Sequence, residues 1–288
     1  PSARRRTSTS ASTAFTWTAR SARGCAATKA TAAVGSTGTV NWLVGSTVSA
    51  VGIGFLAFIS QAIGAGDHQK ARKASAQSVL SVITVGLALT VITQLLSSVI
   101  PVWMNVDVTI RQTASQYFRI LYMPMLFRAA SIIFGTVLRA AGDTKTPMRV
   151  GVAVNVINVV FNFVLIYPTR SIRLFSSDIT VFGAGMGVEG AALASAIAYA
   201  FGGIAVTVAL WRHSVVSPRG QRMTPDISIL KPCLKVAIPN MLQRFATLMG
   251  YVFFASMINA LGDVSTAAHT VANTVESLFY IPGFGMQS

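Results

Sequence analysis

Four stretches of this chain, 30–66, 74–106, 150–169 and 190–211, contain no Asp, Glu, Lys or Arg. A helix of about 20 mostly apolar residues crosses a bilayer, and each stretch is long enough to hold one. Three further apolar runs, near 114–138, 236–260 and 264–288, carry only a few charges. Runs of this length fit neither the alternation of a half-buried strand nor the single stripe of a soluble helix. The pattern predicts seven membrane-spanning helices.

The loops between these runs carry the charge. Lys70, Arg72 and Lys73 follow the first run, and Arg111 stands alone after the second. Then come Arg139, Lys145 and Arg149, followed by Arg170 and Arg173. Arg212, Arg219, Arg222, Lys231 and Lys235 fill 212–235, and the link 261–263 has no basic residue. Cytoplasmic loops of membrane proteins are enriched in Lys and Arg, so the alternation places the loops near 70, 144 and 220 inside.

Composition agrees. Charged residues are 11% of the chain and hydrophobic ones 52%, against about 25% charged in soluble domains. The net charge of +15 would suggest nucleic acid in a soluble protein; here it lies in membrane-flanking loops, so lipid is the partner it implies. Two cysteines cannot build a disulfide framework. Cys233 falls in the expected cytoplasmic loop 212–235, where it stays reduced.

Residues 1–33 stand apart. They hold six basic residues, no acidic one and no Leu, Ile, Val or Met. Such composition resembles an organelle transit peptide or a disordered leader. The topology puts it outside, where so many basic residues are unexpected, and this favours non-native sequence in the place of a first helix.

TAAVGSTGTV (31–40) and TAAHTVANTV (266–275) share Thr, Ala, Ala, Thr and Val at the same places, 235 residues apart (266 − 31). Both open spans that run from outside to inside. That is the signature of a parallel repeat, and transporters often place their substrate site between such repeats. Doubling the interval predicts a two-repeat protein of roughly 470 residues, of which this chain is an incomplete fragment. The expected organisation is an N-terminal lobe of five helices over 34–211, a cytoplasmic inter-lobe loop over 212–235, and the first two helices of a second lobe over 236–288.

QAIGAGDHQKARKASAQS (61–78), LRAAGDTKTPM (138–148), GMGVEGAALASAIA (185–198), IPNMLQRFATLMG (238–250) and VESLFYIPGFG (275–285) together resemble the multidrug and toxic compound extrusion (MATE) family. The resemblance covers about 31–288 and implies an all-α polytopic membrane protein. It would be a helical bundle of one lobe plus the first two helices of the second lobe of a two-lobed antiporter. The spans here would match the second to eighth helices of that family. The implied activity is export of organic cations and other drugs across the plasma membrane in exchange for H⁺ or Na⁺. No further cofactor is implied, and the expected state is a monomer. A lipid-linked oligosaccharide flippase of the same superfamily is the alternative. No HExxH, GxSxG, CxxC or Walker motif occurs, which speaks against an enzyme.

Polar residues inside the spans are the candidate sites. Asn155, Asn158 and Asn162 fall within about 60° on one helical face. They could bond between helices or line a cation site. The resemblance favours a site, because archaeal members place an Asn and, four residues on, an Asp at the positions of Asn158 and Asn162. Na⁺ near these two is the metal expectation, although an amide at 162 cannot carry a proton. Ser195 could join them. On the next-to-last run, Asn240, Gln243, Arg244, Thr247 and Tyr251 share one face. Some relatives carry a coupling Glu at the Thr247 position and others an acid at Gln243. On the last run, His269, Asn273, Glu276 and Tyr280 share another. Glu276 is the one acid near a membrane midplane, and a buried acid is a functional candidate by default. It reads either as the coupling residue or as a structural partner of Arg244. Arg128 is also intramembrane, with no partner legible in the sequence. The Asp residues of Gly64-Ala65-Gly66-Asp67 and Gly142-Asp143 read as caps at cytoplasmic helix ends, with Lys70, Arg72 and Lys73 at the headgroups. His213 reads as interfacial.

Overall fold

Apolar runs become helices, two of which end in matching Gly-Asp turns. A computed structural model describes residues 38–103, 108–174, 177–221, 223–260, 272, 275 and 276; the run expected near 264–288 lies outside the described residues apart from the last three. In chain order these include α1 (Gly38–Gly64), α2 (His68–Leu96), α3 (Ile100–Trp103), α4 (Val108–Tyr122), α5 (Met125–Ala140) and α6 (Lys145–Ile166). They are followed by β1 (Pro168–Leu174), β2 (Ser177–Ala184), α7 (Gly187–Arg212) and α8 (Ile227–Ala260).

At the end of α1, Gly66 adopts φ 76° and at the end of α5 Gly142 adopts φ 84°, a region costly for residues with a Cβ. The amide of Gly66 bonds to the Ile63 carbonyl and that of Asp67 to Ala62; Gly142 and Asp143 repeat this with Arg139 and Leu138. This paired closure satisfies carbonyls that a helix end leaves open. Each Asp then serves the next helix. Asp67 Oδ1 accepts from the Lys70 amide at 2.9 Å, and Asp143 Oδ1 accepts from the Thr146 amide at 3.0 Å.

Four helical segments, Leu43–Gly64, His68–Leu96, Lys145–Ile166 and Gly187–Arg212, are long and apolar enough to cross a membrane. The run near 114–138, expected as one span, forms a bent helix pair that is long and apolar enough to cross when its two parts are taken together. Arg111–Tyr122 and Met125–Ala140 meet at 49°. Pro124 sits in the break, where it has no amide to donate and suits the start of a helix. Between α6 and α7, β1 and β2 pair antiparallel, with Ile172 opposite Ile179 and Leu174 opposite Ser177. Among the described residues this hairpin is a short non-helical insert in an otherwise helical fold. The alternation of Ile172 with Leu174, and of Ile179 with Val181, around a polar Ser-Ser-Asp is its signal.

Residues 227–235 were expected as loop and are helical. Asp226 caps α8, accepting at Oδ1 from the Ser228 amide at 2.9 Å and from the Ser228 hydroxyl. Cys233 is therefore a buried helical residue, not a loop thiol.

The chain divides into two compact units. The first takes the chain up to Val44, with Val82–Ser131 and Val150–Ala205; the second takes Gly45–Ser81, Ile132–Arg149 and the chain from Val206 on. In the first unit, Ala114, Phe118, Tyr122, Met125, Ala129, Ala192, Ala194 and Ala198 are buried. Gly203 lies against the Phe127 backbone, where a Cβ would collide with its carbonyl. In the second unit, Ala71, Ala74, Ser75 and Ser78 form a buried small-residue face on α2, the kind that lets membrane helices approach closely. Gly54 abuts the Cys233 carbonyl with no room for a side chain. By contrast, α6 has no buried residue. Val152, Val156, Val159, Val160 and Phe163 are exposed on it, as suits a helix with lipid on one side.

Candidate functional site

Within the first unit, α6 presents Asn158 and Asn162 one turn apart, and α7 presents Ser195. Asn162 Nδ2 donates to Asn158 Oδ1 at 2.9 Å. Asn158 Nδ2 donates in turn to Ser195 Oγ at 3.1 Å. All three side chains are half-buried. The line of donors ends in an unsatisfied acceptor: Asn162 Oδ1 is buried and accepts no hydrogen bond. A buried carbonyl without a donor costs about 1–3 kcal/mol. Oxygen atoms of this kind, beside a hydroxyl, are what hard cations such as Na⁺ take as ligands. The expected trio is thus reduced to a pair plus Ser195, because Asn155 is exposed and stands outside it.

A second polar cluster belongs to the same unit, and sequence reasoning found only one member. Arg128 Nη1 donates to Asn41 Oδ1 at 2.6 Å, and the Tyr122 hydroxyl donates to the same oxygen at 3.2 Å. The Arg128 guanidinium stands over the Tyr199 ring, 4.9 Å from its centroid. Tyr199 follows Ser195 by one turn, so both clusters use one face of α7. Asn41 was missed because a single Asn near a helix start carries no periodic signal.

In the second unit, α8 keeps its polar stripe to itself. Arg244 Nε donates to Asn240 Oδ1 at 2.9 Å, one turn back on the same helix. Thr247 Oγ1 donates to the Gln243 carbonyl at 2.9 Å, and both residues are exposed. No ion pair joins Arg244 to Glu276 among the described residues. Glu276 is helical and exposed, against the expectation of a buried acid. His269, Asn273 and Tyr280 lie outside the described residues.

Arg72 and His213, assigned from the sequence to the headgroups and the interface, bond to the loop before α8, and Gln77 joins them. Arg72 donates to the carbonyls of Ser214 at 2.7 Å and Val215 at 3.2 Å. Lys70 stands over the Phe58 ring at 5.4 Å. His213 Nδ1 accepts from the amides of Val215 and Val216. Gln77, 3% exposed, donates through Nε2 to the Thr224 carbonyl at 2.7 Å. It also accepts at Oε1 from the Asp226 amide at 3.1 Å. Among the described residues no group of three or more His, Cys, Asp or Glu could hold a metal ion.

Residues 9–164 match the MatE family; the match starts inside the segment 1–33 that composition sets apart. The probable multidrug resistance protein NorM of Thermotoga maritima is 29% identical over 258 residues, 90% of this chain and 53% of that protein. The probable multidrug resistance protein YoeA of Bacillus subtilis is 25% identical, over 89% of this chain and 54% of its own length. The chain thus spans about half the length of these relatives. Among solved structures, MATE in a bent conformation has a TM-score of 0.79 at 22% identity, covering 90% of this chain and 55% of that one. An outward-facing multidrug resistance MATE family transporter of the MOP superfamily has 0.75 at 22%, with the same coverage. These likenesses show a shared multi-pass helical fold. With that fold and a family match over more than half of its residues, the chain belongs to the MatE family, a family of membrane transporters rather than enzymes.

Proposed function

We propose that this chain is part of a multidrug efflux antiporter that exchanges organic cations or other drugs for Na⁺ or H⁺ across the plasma membrane. The relatives named as multidrug resistance proteins support the efflux reading. The observation that carries the cation chemistry is the buried, unsatisfied Oδ1 of Asn162 at the end of the Asn162–Asn158–Ser195 line. Among these three residues no group titrates, so the ion they suit is Na⁺ rather than a proton.

Glu276 is the proposed coupling carboxylate. Arg244 is turned to Asn240, which leaves the Glu276 charge to an organic cation, to Na⁺ or to a proton. Those states exclude one another, and antiport needs such competition: binding of one cation must disfavour the other. The two sites make separate predictions. In a full-length transporter that contains this chain, reconstituted in vesicles, Asn162→Leu is expected to express normally and export ethidium severalfold more slowly. Glu276→Gln is expected to lose the dependence of export on pH and Na⁺. Wild-type export with unchanged ion dependence in both variants would overturn the proposal.

A further inference from the structure

A charge inside a spanning segment is costly, and the cation chemistry above leaves Arg128 out. Its partners frame a joint. α4 ends at Tyr122 and α5 begins at Met125, and the bent pair they form meets at 49°. Pro124, in the break, has no amide with which to continue α4. Its carbonyl accepts from the Arg128 amide at 3.1 Å, which closes the first turn of α5. Tyr122 and Arg128 therefore stand on opposite sides of the break. Both donate to one atom, Asn41 Oδ1 on α1: Arg128 Nη1 at 2.6 Å and the Tyr122 hydroxyl at 3.2 Å.

The two sides are held differently. The α5 side is held by fit. A Cβ at Gly203 of α7 would collide with the Phe127 carbonyl, and one at Gly86 of α2 would press on Leu126. The Arg128 guanidinium also lies over the Tyr199 ring of α7, 4.9 Å from its centroid. On the α4 side, Tyr122 is fully buried and packs on Phe118 of its own helix, 4.3 Å between centroids; its hydroxyl ties α4 to α1. Gln94 Nε2 donates to the Arg119 carbonyl and Ser115 Oγ to the Ser97 carbonyl, each at 2.9 Å, so the end of α2 travels with α4.

We propose that the break is a hinge and that Asn41 is its latch. The start of α5 stays seated against Gly86 and Gly203 while α4 swings, and the shared oxygen holds the bent state. Hinges are a few residues at element ends that absorb the backbone change; here they are Met123 and Pro124. Straightening carries Tyr122 away from Asn41 Oδ1, whereas Arg128 keeps its bond to it. The bent and straight states thus differ by one hydrogen bond at the latch, without unpacking α5 from α2 and α7. Arg128 is a positioning residue: it keeps the Asn41 oxygen aimed at the joint in both states. The latch is a property of this chain and holds whichever ion drives export.

The test is a distance across the joint. Gln112 on α4 and Arg139 near the end of α5, both exposed, are replaced by Cys and spin-labelled in the purified 288-residue chain, with Cys25 and Cys233 replaced by Ala. At a rise of about 1.5 Å per residue, straightening the 49° bend lengthens this distance by about 3 Å. Wild type is expected to show the short distance as its main component in double electron–electron resonance. Asn41→Leu is expected to move most of the population to the long distance. Tyr122→Phe removes one bond and keeps the ring on Phe118; it is expected to raise the long component about fivefold, the factor that one hydrogen bond supplies, and it covers the case in which Asn41→Leu does not fold. Asn41→Asp still accepts from both donors and is expected to keep the short distance. A distribution unchanged from wild type in either Asn41→Leu or Tyr122→Phe, once folded, would show that Pro124 and packing set the bend, and would overturn the latch. So would a long component in Asn41→Asp as large as that in Asn41→Leu.

Discussion

Asn162 holds its two polar atoms in different states: Nδ2 is bonded to Asn158, and Oδ1 is buried without a donor. Its removal should therefore cost little stability. Asn162→Leu loses one hydrogen bond worth about 1 kcal/mol, and the unsatisfied Asn162 Oδ1 is exchanged for an unsatisfied Asn158 Oδ1. Asn158→Leu breaks two bonds and leaves Asn162 Nδ2 and Ser195 Oγ without their partner, a loss of about 1–2 kcal/mol. Thermal unfolding of the purified variants should place Asn162→Leu near wild type and Asn158→Leu clearly below it. The reverse order would contradict the hydrogen-bond direction drawn here. Cys233 offers a second residue-scale check. It is 3% exposed, and burial pushes its thiol up to about 12, far from the thiolate that reacts with maleimides. With Cys25 replaced by Ser, labelling is expected to stay slow after permeabilisation and to become fast once detergent unfolds the chain. Fast labelling of the folded protein would place Cys233 on the surface.

At the scale of elements, ends and joints carry the specific interactions. Gln77 ties α2 to the start of α8 through two bonds from a buried side chain. Gln77→Ala exposes neither group to water and is expected to destabilise by about 1–3 kcal/mol, read as a lower melting temperature. A neutral result would mean that the Asp226 cap alone sets the start of α8. Asp143 predicts a pH dependence. The Thr146 bonds hold its carboxyl below the ordinary value of 3.8. A depressed pKa stabilises the fold above the unfolded value, and that contribution is lost as pH falls through the folded one. The stability gap between wild type and Asp143→Ala should hold constant from neutral pH down to the ordinary carboxylate range, then close below 3.8. A gap that persists in acid would show that the cap acts through shape rather than charge. These joints differ in how far the sequence reveals them. Gly66-Asp67 and Gly142-Asp143 are local signals, complete within a few residues. The break at Pro124 and the hairpin after α6 had local signals too, but apolar run length masked the first and the search for spans passed over the second. The tie from Gln77 to Asp226 joins residues 149 apart, and no local pattern encodes it.

For the whole molecule, the apolar runs and the alternation of basic loops were enough to read a polytopic helical bundle, because lipid demands long apolar segments and the positive loops give them direction. The polar interior was legible only where residues repeat on one helix. Asn158 and Asn162 were found by spacing, whereas Asn41 and Arg128, 87 residues apart, meet only in the fold. The sequence reads Arg244 and Glu276 either as a structural pair or as separate groups, and among the described residues Arg244 bonds to Asn240, one turn back on its own helix. The central claim is that Asn162, Asn158 and Ser195 form a Na⁺ site in the first unit. A ligand that binds only the folded state stabilises it by RT ln(1 + [L]/Kd), about 1.4 kcal/mol at ten times Kd. The most direct measurement is the melting temperature of the purified 288-residue chain in NaCl against KCl at equal ionic strength, for wild type and Asn162→Leu. The account predicts a Na⁺-specific rise in wild type that Asn162→Leu abolishes. No rise in wild type, or the same rise in both proteins, would contradict it.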